Sequence, residues 1–246
     1  MTSKPDSLDS LLRLLGGETK PQIRLMENAF QSASRLGVFS SSFNPVTRAH
    51  TALVESASAA FALDHVLALA SDKNADKRSY DVSLRQRLEM MLLAFTDSAH
   101  VSIGVTSHAF FADMIDALLG FASPGTGIYF ILGFDTLERV VDSDGKYLGR
   151  YYRQFSTSDD ALRYLLSYSH LIVANRGAAG RDDLLRVTGL LPARLRGQVF
   201  QLDLPGDLAE ISATTVRSLA GSGKDLSGFV PERVGEYIKA NGLYST

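Results

Sequence analysis

The feature that most constrains this chain is an alternation. Short, continuous apolar runs recur along it, and stretches with helical spacing lie between them. His65-Val66-Leu67-Ala68-Leu69-Ala70, Ile128-Tyr129-Phe130-Ile131-Leu132-Gly133 and Leu171-Ile172-Val173-Ala174 show no apolar/polar alternation. A strand solvated on one face alternates, whereas a strand buried on both faces reads as a continuous apolar run. Helical spacing covers 49–60, 83–95 and 109–119. Further strands are predicted over 38–41, 101–106 and 199–202, with closing helices near 213–219 and 232–240. Repeated strand–helix order predicts a doubly wound, Rossmann-like parallel sheet with helices on both faces. The 246 residues suit one large α/β domain, and 45% hydrophobic residues allow a sizeable core.

The first 36 residues stand apart from this rhythm. Leu8, Leu11, Leu12 and Leu15 share a helical stripe that Gly16-Gly17 ends, and a second helix-like run covers Ile23 to Leu36. The expectation is extra N-terminal helices over 1–36, available as an oligomer contact, and a main domain over 37–246.

Bulk properties exclude several classes. A net charge of -2 argues against a dedicated nucleic-acid binder. The absence of cysteine rules out disulfides and thiolate metal sites. The five histidines contain no H-x-x-x-H pair, so a built-in zinc site is not expected. No apolar run reaches membrane-spanning length. Met1 to Leu15 carries Asp6 and Asp9 and lacks a secretory pattern, so the expected address is the cytoplasm, with the nucleus as an alternative.

Function is concentrated at one join. Gly37-Val38-Phe39-Ser40-Ser41-Ser42-Phe43-Asn44-Pro45-Val46-Thr47-Arg48-Ala49-His50 passes from a strand-like run through turn-formers into a helix. Ligands of open α/β sheets bind at the carboxyl ends of strands, and helix N-termini attract anions. A histidine in the first helical turn adds a donor for phosphate oxygens. A second such site is Ile211-Ser212-Ala213-Thr214-Thr215-Val216-Arg217. Ser212 is a good N-cap, the hydroxyls of Thr214 and Thr215 lie in the first turn, and Arg217 can reach back over the helix start with a guanidinium suited to phosphate. A third is Ile131-Leu132-Gly133-Phe134-Asp135-Thr136-Leu137, where a glycine after a strand permits close ligand approach and Asp135 can hold ribose hydroxyls.

These stretches resemble the signatures of the nucleotidyltransferases, most closely those of the nicotinamide mononucleotide adenylyltransferases. Ser42 to His50 is similar to G-x-F-x-P-x-[HT]-x-G-H, with Thr47 at the first His/Thr place and His50 at the last. Ile211 to Arg217 is similar to I-S-S-T-x-[IV]-R, and Ile131 to Leu137 to I-x-G-x-D-x-L. Arg85 to Met91 resembles an R-x-x-M helix, with Met90 and Met91 expected in the core. Phe229 to Tyr244 resembles a V-P-x-x-V-x-x-Y-I ending. Ala49 and Ala213 depart from the usual Gly and Ser.

The resemblance implies transfer of AMP from ATP to a pyridine mononucleotide, either nicotinamide or nicotinate mononucleotide, giving a dinucleotide and pyrophosphate. Mg²⁺ would accompany ATP. Thr47, His50 and the Ser42-Phe43 backbone would hold ATP phosphates. Ser212, Thr214 and Arg217 would hold the β/γ-phosphates. Gly133 and Asp135 would contact adenosine, and Asn175 and Arg176 would line the pocket. Lys77, with Lys73 and Arg78 as alternatives, would reach the phosphates from the loop after the second strand. The family commonly stacks Trp on the pyridine ring, and this chain has none. Phe110, Phe111 and Tyr151 are the candidate acceptor-binding rings. The alternatives are another phosphomonoester acceptor, such as a phosphopantetheine, or an ATP-binding protein of the same fold with weak or no catalysis.

Overall fold

The computed structural model describes residues 8–13, 20–26, 30, 32–71, 82–108, 110–142, 155–175 and 181–245. Its strands are β1 (Ile23–Leu25), β2 (Arg35–Ser41), β3 (His65–Ser71), β4 (Val101–Thr106), β5 (Gly127–Gly133), β6 (Ser169–Ala174) and β7 (Val199–Leu202). The helices are α1 (Leu8–Arg13), α2 (Arg48–Phe61), α3 (Leu84–Phe95), α4 (Phe111–Leu119), α5 (Phe134–Val141), α6 (Ser158–Tyr168), α7 (Arg181–Gly189), α8 (Ala193–Arg196), α9 (Gly206–Ala209), α10 (Ala213–Gly221) and α11 (Glu232–Ala240).

The strands form one seven-stranded sheet in the order β1-β4-β3-β2-β5-β6-β7. All pairings are parallel except that of β1 with β4. The chain winds outward from β2 through β3 to β4, then returns to the other side of β2 and winds through β5 and β6 to β7. The order therefore reverses between β2 and β5, where Phe39 pairs with both Ala68 and Ile131. A crevice opens at the carboxyl end of such a reversal.

The apolar runs are buried on both faces, as their composition predicts. Ala68 and Ala70 of β3, Ile131 of β5 and Ile172 of β6 face one core together with Val54, Met90, Met91 and Ile238. Leu67 and Leu69, Phe130 and Leu132, and Leu171 and Val173 face the other, with Met114, Leu137 and Leu165. Met90 and Met91 are fully buried, as expected.

Two features differ from the reading of the sequence. Ile23 to Leu36 is not a helix. Ile23–Leu25 is a strand pairing antiparallel with β4, and β2 already starts at Arg35. The edge of β4 leaves backbone groups unpaired, and a short strand satisfies them. Gly104 permits the close approach: a Cβ there would lie 2.3 Å from the Arg24 carbonyl oxygen. Phe30 and Ala33, within that stretch, are buried in the core. Among the N-terminal residues described, only Leu8–Arg13 is helical. The second difference is α7, α8 and α9, which the sequence did not announce. No described helix is long and apolar enough to cross a membrane.

Candidate functional site

β2 delivers its last residues to the crevice, and the chain turns sharply into α2. Phe43 makes the turn with φ 46°, left-handed for a non-glycine residue, and the Asn44-Pro45 peptide is cis. The Phe43 ring is fully buried, edge-on to Phe39 at 5.4 Å and tilted against His50 at 5.2 Å. Packing thus holds a conformation that costs about 1–3 kcal/mol.

Thr47 caps α2, and its hydroxyl accepts from the His50 backbone N–H at 3.4 Å. The reverse half of this capping box sets the chemistry. The Thr47 backbone N–H donates to His50 Nδ1 at 3.0 Å. A backbone N–H only donates, so Nδ1 is the acceptor and a neutral imidazole carries its proton on Nε2. Nε2 lies 3.4 Å from the Oγ of Ser41. His50 is therefore arranged as a donor. Thr47 is 1% exposed, and its hydroxyl is committed to the cap.

The second predicted segment is brought against the first. Ser212 caps α10, with Oγ accepting from the Thr215 backbone N–H at 3.1 Å and 2.8 Å from Thr215 Oγ1. Arg217 leaves the helix and donates to the Asn44 carbonyl at 2.7 Å and to Thr214 Oγ1 at 3.2 Å. The Tyr244 hydroxyl donates to Asn44 Oδ1 at 2.7 Å, and the Arg48 N–H donates to the Phe229 carbonyl at 2.9 Å. The turn after β2 is thus tied to α10 and to the C-terminal segment.

A cavity of about 390 Å³ lies between these segments. Its polar lining includes Ser41, Ser42, Thr47, His50, Thr214 and Arg217, and the N-terminal ends of α2 and α10 both reach it. Leu53, Leu204, Leu208, Ala209 and Ile211 form an apolar wall. Gly133, Thr136, Arg139 and Asn175 also line it. Oriented N–H donors, a guanidinium and two helix N-termini suit an anion, and the apolar wall suits a planar ring.

Other expected residues stand elsewhere. Asp135 sits in the first turn of α5 but is not among the lining residues; the helical stride from Gly133 instead presents Thr136 and Arg139. Those two could have been found by extending that stride. Phe43 and Ser212 also fall outside the lining. Phe111 is 8% exposed, with its ring edge-on to Phe130 at 4.9 Å, so it belongs to the core. Phe110 precedes α4 as its N-cap and does not line this cavity. The Asn175 amide spans the Leu204 backbone, accepting from its N–H at 2.7 Å and donating to its carbonyl at 3.2 Å. It lines the cavity while fixing the chain after β7. Lys77, Arg176 and Tyr151 lie outside the described residues, as do Lys73 and Arg78.

Residues 38–219 match the family described as cytidylyltransferase-like. A protein of Gemmatimonas aurantiaca named probable nicotinate-nucleotide adenylyltransferase is 28% identical over 220 residues, covering 85% of this chain and 92% of that protein. A protein of the same name from Moorella thermoacetica is 26% identical over 223 residues, covering 88% and 94%. Among solved structures, Plasmodium falciparum nicotinic acid mononucleotide adenylyltransferase complexed with NaAD aligns with a TM-score of 0.65 at 16% identity, covering 86% of this chain and 97% of that one. That likeness is one of fold.

Proposed function

Because this chain belongs to the cytidylyltransferase-like family, we propose that it transfers the adenylyl group of ATP to the phosphate of a pyridine mononucleotide, with nicotinate mononucleotide as the first acceptor to test. One observation carries the reading. His50 and Arg217, 167 positions apart by their numbers (217 − 50), line one cavity whose two walls are joined by the Arg217–Asn44 hydrogen bond.

In this reaction a phosphate oxygen of the acceptor attacks the α-phosphorus of ATP, and the bond to the β-phosphate oxygen breaks. Pyrophosphate leaves with the electron pair. No protein nucleophile is required, so the protein contributes positioning and stabilisation of developing charge. The Nε2–H of His50 donates to phosphate oxygens near the site of attack. Arg217, Thr214 and the first turn of α10 receive the departing pyrophosphate, and the first turn of α2 adds backbone donors. The base rests on the apolar wall.

The cavity lining named above contains no Asp or Glu. The nucleotide is accordingly proposed as its Mg²⁺ complex, with the ion held by phosphate oxygens and water. Other contacts carried by the family resemblance, from Ser42, Phe43, Asp135, Ser212, Lys77, Arg176 and the acceptor rings Phe110 and Tyr151, belong to this proposal too. The same reading places the protein in the cytoplasm.

The test is incubation with ATP, Mg²⁺ and nicotinate or nicotinamide mononucleotide, reading dinucleotide and pyrophosphate together. Product from either acceptor supports the reading. ATP binding with no pyrophosphate release from any mononucleotide sinks it. His50→Ala is expected to lower turnover about 100-fold, the scale of one lost oxyanion donor. Near-normal turnover in that variant removes His50 from the role.

A further inference from the structure

The turn that presents His50 is also held from beneath, by a residue that does not line the cavity. Arg87 lies on α3 and is 1% exposed. Its Nη1 donates to the Ser42 carbonyl at 2.9 Å and to the Ser71 carbonyl at 3.0 Å. Ser42 is the first residue after β2, and Ser71 ends β3. One buried nitrogen therefore clamps the carboxyl ends of two neighbouring strands at the mouth of the crevice.

The Ser42 contact has a geometric consequence. A trans peptide sets its C=O and N–H in opposite directions. Drawing the Ser42 carbonyl down to Arg87 turns the Phe43 N–H away from Arg87. Ser42 itself lines the cavity, and Phe43 follows it in left-handed backbone at φ 46°. Phe43 carries a Cβ, so that conformation needs external support. Its buried ring supplies one support, and the anchored carbonyl supplies another.

We propose that Arg87 is a positioning residue for the phosphate site, holding the carboxyl ends of β2 and β3 so that Ser42, which lines the cavity, meets the pyrophosphate portion of the nucleotide. This rests on the adenylyl-transfer reading above. Arg87 touches neither substrate nor reacting atoms. It fixes the place of a residue that the ligand meets. Both of its described bonds come from one nitrogen, so a lysine ammonium can reproduce them in kind, whereas methionine keeps the bulk and loses both.

The experiment compares the wild type, Arg87→Met and Arg87→Lys, using inorganic pyrophosphate as the probe in calorimetric titrations well below each protein's unfolding midpoint. Arg87→Met is expected to weaken pyrophosphate binding between about 10- and 100-fold, the range for a donor displaced by up to an ångström. It is also expected to raise the KM for ATP more than it lowers kcat. Arg87→Lys is expected to restore affinity to within a few-fold. A residue that only stabilises the fold would lower the unfolding midpoint and leave the pyrophosphate affinity of the folded protein unchanged, and that result overturns the proposal. If Arg87→Met does not fold, the wild type still decides. The Ser42 amide resonance, followed by nitrogen–proton NMR, must shift on addition of pyrophosphate, and a stationary resonance overturns the proposal. A wild type that neither binds pyrophosphate nor transfers the adenylyl group overturns the adenylyl-transfer reading with it. An active wild type matched by Arg87→Met overturns the role of Arg87 alone.

Discussion

Gly133 ends β5 at the crevice, and a Cβ built there meets no atom within 4 Å. Its φ of -81° is open to any L-residue, so the backbone does not demand glycine here. What the missing side chain protects is the cavity that Gly133 lines. Gly133→Val should therefore leave folding stability within about 1 kcal/mol. It should weaken ATP binding by about tenfold or more through displacement of the nucleotide. Urea unfolding and calorimetric titration check the two halves separately, and unchanged ATP affinity would mean that the ligand does not approach this residue. The glycine was legible in the sequence because it follows a continuous apolar run. Asp135 was picked out by the same adjacency, while the helical stride presents Thr136 and Arg139 to the cavity, and its contact with a ligand stays part of the proposal. The donor role of His50 was legible, but not that Nε2 is the donating nitrogen, since that follows from a capping box closed by Thr47.

At the scale of elements, the site is two helix starts set face to face. Each is capped by its own hydroxyl residue, Thr47 on α2 and Ser212 on α10. The Ser212 cap was readable from the residue type that precedes its helix, whereas Thr47 was read only as a phosphate contact. Their juxtaposition depends on contacts distant in sequence, such as Arg217 to Asn44 and Tyr244 to Asn44, which no local pattern reports. Ser212 shows how firmly a cap is tied to its own helix. Its Oγ accepts from Thr215 N–H and it lies outside the cavity lining. Ser212→Ala should cost about 1 kcal/mol of stability, the usual magnitude for a lost N-cap, and Ser212→Gly only a few tenths. A series of urea midpoints tests this ordering. Equal losses for alanine and glycine would show that Ser212 acts through something other than its cap. The short helices α8 and α9 escaped detection because four residues are too few to show a period.

At the scale of the whole molecule, the sheet separates two kinds of histidine. His50 stands at the carboxyl ends of the strands, while His65 and His170 stand at the start of β3 and near the start of β6. The alternation of apolar runs foretold the strand order along the chain but not the lateral order that makes this separation, because pairing β2 with β5 is a long-range choice. His65 is buried, with Nε2 2.9 Å from Ser102 Oγ. Burial, with a smaller contribution from His100, holds its pKa below the usual 6.5. His170 stacks on Tyr129 at 4.8 Å, and the Arg35 guanidinium lies 4.6 Å above that same ring. Burial, then Arg35, lowers its pKa as well. The unfolded chain therefore binds protons at these histidines more readily than the folded one, and stability rises with pH across their titration. Their contribution is complete above the unfolded value of 6.5 and is lost as pH falls below it toward the depressed folded values. The urea midpoint should hold steady above about pH 7.5 and decline as pH falls below about 6.5. His65→Gln, which can keep a hydrogen bond to Ser102 without taking up a proton, should flatten that decline while lowering the midpoint at neutral pH through altered packing. A decline of equal steepness in wild type and variant would assign the acid sensitivity to other groups.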